Sequence, residues 1–190
     1  MSARVYFDTN IWISAMDSLD EKNPAAKSQF EKVRQGKQTL VISKWVFVEI
    51  IKIIIDAAMR DPLVRQTRTP ESVRNHVTAI FREYGRLVIG MRHVVFSDPA
   101  TRTSLVFKRA YDLSQRVFGN VSKEPKCPVC HGPYDFFKYR GPYQVDYIHA
   151  LVARDLQCQK ILTFDHDFSL LKDEVEIQPL SVEVLTKHST

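Results

Sequence analysis

The sequence predicts an α/β protein: a central, mainly parallel sheet flanked by helices. Strand-like and helix-like stretches alternate along the chain, the pattern left by parallel strands joined through crossover helices. The 190 residues suffice for one domain with a proper core and are too few for two large ones. A hydrophobic content of 44% with 26% charged residues is globular and excludes a disordered or collagen-like chain. Residues 1–190 therefore read as one domain, interrupted by an irregular insertion at 119–143.

Residues 4–8, Arg-Val-Tyr-Phe-Asp, form the first strand, rich in β-branched and aromatic residues and ending at a carboxylate. Asn23-Pro24 starts a helix whose apolar residues include Ala26, Phe30 and Val33, and Gly36 closes it. Thr39-Leu-Val-Ile42 is a buried-strand pattern, and Ser43 stands at the N-cap of a long helix to about Met59. Pro70-Glu71 opens a helix to Leu87, with Val73, Val77, Ile80, Phe81 and Tyr84 on one face. His93–Phe96 is a strand, after which Asp98 or Thr101 caps a helix through Val117. Val145–Leu156 is a helix and Lys160–Phe164 a strand ending at Asp165. A helical turn at His166–Leu171, a short strand near Val175–Ile177 and a tail complete the chain.

Residues 119–143 differ in character, holding three of the six glycines, four prolines and two of the three cysteines. Three cysteines are too few for a disulfide scaffold and suit a reducing compartment. The N-terminus MSARVYFDTN lacks the features of a targeting signal. The greasiest stretch, Val46–Met59, is interrupted by Glu49, Lys52 and Asp56 and is too short to span a bilayer. A soluble, cytoplasmic protein is the expectation. The formal charge of +5 mildly favours a polyanionic partner.

Ligands of open parallel sheets collect beyond the carboxyl ends of the strands. Asp8 and Asp165 each follow a predicted strand, Glu49 lies two turns into the helix after the second, and Asp146 opens the helix before the Asp165 strand. Four converging carboxylates repel one another, so keeping them ionised together calls for a cation. Oxygen donors suit Mg²⁺ or Mn²⁺, and one or two such ions promote phosphodiester hydrolysis by acidifying water and neutralising the phosphate.

Four segments carry a family resemblance. Val5-Tyr-Phe-Asp-Thr-Asn-Ile11 resembles the opening strand of PIN-domain ribonucleases, which include toxins of the VapC type. Ser43-Lys-Trp-Val-Phe-Val-Glu49 is similar to their second motif, Asp146–Ala153 to the third and Ile161–Phe168 to the fourth. The resemblance implies a PIN-like endoribonuclease acting on mostly single-stranded RNA. Its catalytic, metal-binding acids would be Asp8, Glu49, Asp146 and Asp165, with Asn10, Thr163 and Asp167 in support. It also implies an antitoxin or other protein partner and a homodimer. Two departures stand out: the stretch between Glu49 and Asp146 is longer than in compact toxins, and His149 replaces a small or apolar residue.

Rival readings stay open. Each acid singly could be a helix cap or surface charge, Glu49 could pair with Lys52 at i+3, and His149 could be a hydrogen-bonded histidine at the rim. The domain could also be a catalytically silent module binding RNA or protein. Cys127-Pro-Val-Cys130-His131 resembles half of a structural zinc site, which Cys158 or a second subunit could complete. Around it Lys123, Lys126, Lys138 and Arg140 alternate with aromatics including Tyr134 and Tyr139, a combination suited to gripping single-stranded RNA or to packing the loop. Lys44 and Lys52 are candidates for steering phosphate, or plain surface lysines.

Overall fold

The computed structural model describes residues 2–60, 69–97, 105–106, 108–113, 144–172, 177 and 179–189. Among these residues five strands, β1 (Ala3–Phe7), β2 (Gln38–Ile42), β3 (Val94–Phe96), β4 (Lys160–Thr163) and β5 (Ser181–Val184), form one sheet in the order β3-β2-β1-β4-β5. Every neighbouring pair is parallel. The central strand holds the register, Val5 standing beside Leu40 on one side and Lys160 on the other.

From β1 the chain steps outward to β2 and β3, then crosses back to β4 on the opposite side of β1 and continues to β5. This reversal makes the β1–β4 boundary a topological switch point, where connections leave for opposite sides and a crevice opens at the carboxyl ends. Asp8 follows β1 and Asp165 comes two residues after β4, so the topology delivers both to that edge.

The sheet is covered on both faces, as a parallel sheet requires. Val5, Tyr6 and Phe7 are consecutive and all buried, although neighbours on a strand point to opposite sides. Phe7 meets Phe30 of α2 (Asn23–Arg34) edge to face, 5.1 Å between centroids. Tyr6 meets His149 of α5 (Gln144–Asp155) at 5.7 Å. Helices α2 and α5 thus lie against opposite faces.

Local chemistry sets the other helices. Asp8 caps α1 (Thr9–Met16), its side chain accepting from the Thr9 amide. Pro24 sits in the first turn of α2, and Gly36 ends the connection at φ 72°, where a Cβ would come within 2.8 Å of the His93 ring. Helix α3 (Lys44–Arg60) buries Val46, Ile50, Ile54 and Ala58, a stripe at i+4 spacing. Helix α4 (Pro70–Val88) begins with a capping box between Thr69 and Ser72. Helix α5 buries Tyr147, Ile148, His149, Ala150, Leu151, Val152 and Ala153 in succession, as a helix enclosed in the core does. Among the described residues no helix is long and apolar enough to cross a membrane.

Most predicted elements lie within a residue or two of their observed bounds. The last strand is an exception. Ile177, expected to end it, sits in a 3-10 turn, and the strand is Ser181–Val184, within the expected tail. Val175-Glu-Ile177 and Ser181-Val-Glu-Val184 alternate alike. Pairing along β4 selects the second, starting with the Ser181 amide on the Gln159 carbonyl at 3.0 Å. Of the helix expected up to Val117, residues 105–106 and 108–113 are helical and the remainder, like 119–143, lies outside the described residues.

Candidate metal centre

Asp8 directly follows β1 and is 5% exposed. Three residues fix its carboxylate. One oxygen, Oδ1, accepts from the Thr9 amide at 2.8 Å, at the amino end of α1 where the helix dipole favours negative charge. The other, Oδ2, accepts from Asn10 Nδ2 and from Thr163 Oγ1, each at 2.7 Å. Asn10 is itself clamped, donating to Thr163 Oγ1 at 2.9 Å and accepting from the Phe164 amide at 3.1 Å. Asn10 thereby ties the end of β1 to the end of β4 across the switch point.

Glu49 reaches the same place from α3. Its Oε2 accepts from Thr9 Oγ1 at 2.5 Å and from His149 Nε2 at 2.8 Å. The i+3 alternative partner, Lys52, is instead paired with Asp56 at 3.3 Å. His149 is not at the rim: it is 1% exposed, at the centre of the site. Its Nδ1 lies 2.8 Å from the Tyr6 hydroxyl, which lies 2.9 Å from Ser43 Oγ. Ser43, expected at the N-cap of α3, thus also holds a buried relay. Asp8, Glu49 and His149 each offer a ligand atom, and those atoms all lie within 4.8 Å of one another.

Burial is the largest influence on Asp8 and pushes its carboxyl up to about 6, against the pull of His149 and the Thr163 bond. Burial acts the same way on Glu49, but the His149 bond and charge and the Thr9 bond outweigh it and hold that carboxyl below its ordinary value. For His149 burial favours the neutral ring, yet Glu49, Asp8 and Asp146 together raise its pKa above the ordinary value. Burial keeps the Tyr6 hydroxyl far above 10 and therefore protonated. The sequence offers a divalent cation as the reason such acids converge; the structure adds an internal one, the His149 ring.

The donor set also fits an ion. An octahedral site with bonds of about 2.1 Å has opposite ligands roughly 4.2 Å apart, so a small contraction of the 4.8 Å group would enclose one. Two carboxylates and an imidazole are donors that Mn²⁺ and related ions accept.

The other expected acids lie outside that 4.8 Å group. Asp146, in the first turn of α5, stands one turn before His149 and acts on it through its charge. Asp165 caps the 3-10 turn His166–Leu171, accepting from the Asp167 amide at 2.8 Å, while its own amide donates to Thr163 Oγ1 at 2.9 Å. Cys158 belongs to the hydrophobic core, and burial pushes its thiol up to about 12, so it is not poised as a thiolate ligand. Cys127, Cys130, His131 and the RNA-contact candidates Lys123, Lys126, Tyr134, Lys138, Tyr139 and Arg140 lie outside the described residues.

Beside the cluster, Ile42, Ser43, Lys44, Phe47, Phe96 and Ser97 line a groove. Phe47 and Phe96 stack there at 6.1 Å and 16°, and Phe96 remains 63% exposed.

Fold and site together define a parallel α/β protein with two acids and an imidazole gathered at the switch point of its sheet. Among solved structures the chain is similar to VapC20 of Mycobacterium tuberculosis, a toxin that cleaves the sarcin–ricin loop. The match has 18% identity and a TM-score of 0.49, covering 92% of this chain and 99% of that one. It is also similar to the VapBC2 structure from Rickettsia felis, bound to a DNA fragment from its promoter, at 12% identity and a TM-score of 0.48, over 95% and 98% of the two chains. No protein-family model and no curated protein matches the chain.

Proposed function

We propose that this chain is a PIN-like endoribonuclease that hydrolyses mostly single-stranded RNA with Mg²⁺ or Mn²⁺. The observation that carries this is the meeting of Asp8, Glu49 and His149 within 4.8 Å at the carboxyl edge of the sheet. Asp8 and Glu49 hold the ion, with Asp146 and Asp165 completing its surroundings. A divalent ion there neutralises charge on the scissile phosphate and acidifies the attacking water.

The chain's own part is to preorganise these donors. Asn10, Thr163 and the Thr9 amide fix the Asp8 carboxylate, while the Thr9 hydroxyl and His149 fix Glu49. Ligands held by such outer contacts need not reorganise when the ion arrives. Asp167 supports the Asp165 turn. The groove between Phe47 and Phe96 provides an aromatic face for a neighbouring base, and the basic residues of 119–143 grip the strand.

The test is cleavage of a single-stranded RNA oligonucleotide by purified protein in Mn²⁺. The wild-type chain cuts and Asp8→Asn does not; equal cutting by both refutes the proposal. One observation favours a second reading, a silent RNA- or protein-binding module: His149 already supplies Glu49 with a hydrogen-bond partner from within the chain. RNA binding in EDTA, with no cleavage in either metal, would select that reading. The motif resemblance adds an antitoxin-type partner and a homodimer, tested by co-purification and by mass in solution.

A further inference from the structure

The resemblance supplies acids, whereas the cluster presents a nitrogen among them. Resting on the metal-centre reading above, we infer that His149 is a direct ligand through Nε2, making the site select ions that accept nitrogen over Mg²⁺.

Three observations meet here. Nε2 is the ring nitrogen that faces Glu49, 2.8 Å from its Oε2, and a ring nitrogen of His149 lies within 4.8 Å of an Asp8 oxygen. The opposite ring nitrogen is pinned at 2.8 Å by Tyr6, whose hydroxyl is itself 2.9 Å from Ser43. Both partners are buried, so the ring cannot turn Nε2 away without stranding them. Metal-binding imidazoles are oriented in this way, their second nitrogen tied to a fixed partner. An ion at Nε2 would displace the proton that Glu49 accepts and release it to solvent, while the Tyr6 hydroxyl, able to accept from Nδ1–H as well as donate, would hold the ring neutral with its Nε2 lone pair toward the ion.

Asp146 lies three residues before His149, so both project from one side of α5. That side therefore offers an oxygen and a nitrogen. Mg²⁺ prefers oxygen ligands and retains its waters. Mn²⁺, Co²⁺ and Ni²⁺ accept imidazole with increasing readiness, and Zn²⁺ also takes it well. A buried ring nitrogen shifts the preference toward them and explains why a bulky, polar side chain occupies a position enclosed by Tyr6, Glu49 and Asp8.

The experiment uses Mn²⁺ alone and reads coordination rather than turnover. Electron spin-echo modulation of Mn²⁺ bound to the full-length chain should show a directly bound nitrogen, and ¹⁵N-histidine labelling of the wild type should change the pattern. His149→Gln should erase it, with folding checked by circular dichroism, and His166→Gln, at an exposed position, should leave it intact. Titrations should show the Mn²⁺-over-Mg²⁺ preference falling roughly tenfold or more in His149→Gln. Mn²⁺ bound in an Asp8-dependent manner without histidine nitrogen coupling overturns this inference and leaves the metal centre standing. Mn²⁺ binding that ignores Asp8→Asn overturns the centre itself.

Discussion

Replacing Asp8 by Asn removes a candidate metal ligand and should stabilise the metal-free protein at neutral pH. Burial holds the Asp8 carboxyl at about 6 rather than 3.8. At neutral pH that difference is a penalty of about 3 kcal/mol for keeping the carboxylate ionised in the fold. Asn removes the penalty but places an amide where Oδ2 accepts from Asn10 and Thr163, a loss of about 1–2 kcal/mol. The net gain is about 1–2 kcal/mol, or roughly 2–8 °C in melting temperature for a chain of this size.

The pH dependence has a definite sign. A raised folded pKa means the native state binds more protons between 3.8 and about 6, so the Asp8 contribution to stability is lost as pH rises through that window. Asp8→Asn should therefore be less stable than wild type near pH 4 and more stable near pH 7.5, with a crossover between. Thermal melts in EDTA across this range make the measurement. Adding Mn²⁺ should reverse the order at pH 7.5, raising wild type by about 2.7 kcal/mol at a hundredfold excess over Kd and leaving the variant unmoved. A variant less stable than wild type by the same margin at both pH values refutes this electrostatic account.

Asn10→Ala should loosen Asp8 and lower Mn²⁺ affinity roughly 10- to 100-fold, read by calorimetry; unchanged affinity would show that the clamp is only structural. Tyr6→Phe leaves Ser43 and His149 Nδ1 without their buried partner, so urea denaturation should show a loss of about 1–3 kcal/mol. In a Cys127→Ser/Cys130→Ser background, the Cys158 thiol, held near 12 by burial, should resist a thiol reagent in the native state and react on unfolding. Fast native labelling contradicts its place in the core.

The frame of the molecule was legible in the sequence because its signals are local. Tyr6 and Phe7 sit in a short aromatic and β-branched run, Pro24 and Gly36 bracket α2, and the stripe of α3 repeats every turn. The position of β5 was not, since two neighbouring segments alternate alike and only pairing with β4 decides between them. Asp8 and Glu49 stood out as acids at the end of a strand and inside an apolar run. His149 was misplaced at the rim because a lone histidine gives no sign of burial, and its partner Glu49 lies 100 residues away. The spacing of Asp146 and His149 was the available signal. Thr9 and Tyr6 were missed for a related reason: ordinary residues in a strand and its turn acquire roles through partners distant in sequence.

The central claim, that this crevice is a metal site, is tested most directly by anomalous scattering from crystals soaked in Mn²⁺. The predicted result is a single strong peak bounded by an Asp8 oxygen, a Glu49 oxygen and His149 Nε2, absent from Asp8→Asn crystals soaked alike. A map with no peak there, or with its ion elsewhere on the chain, would contradict the account.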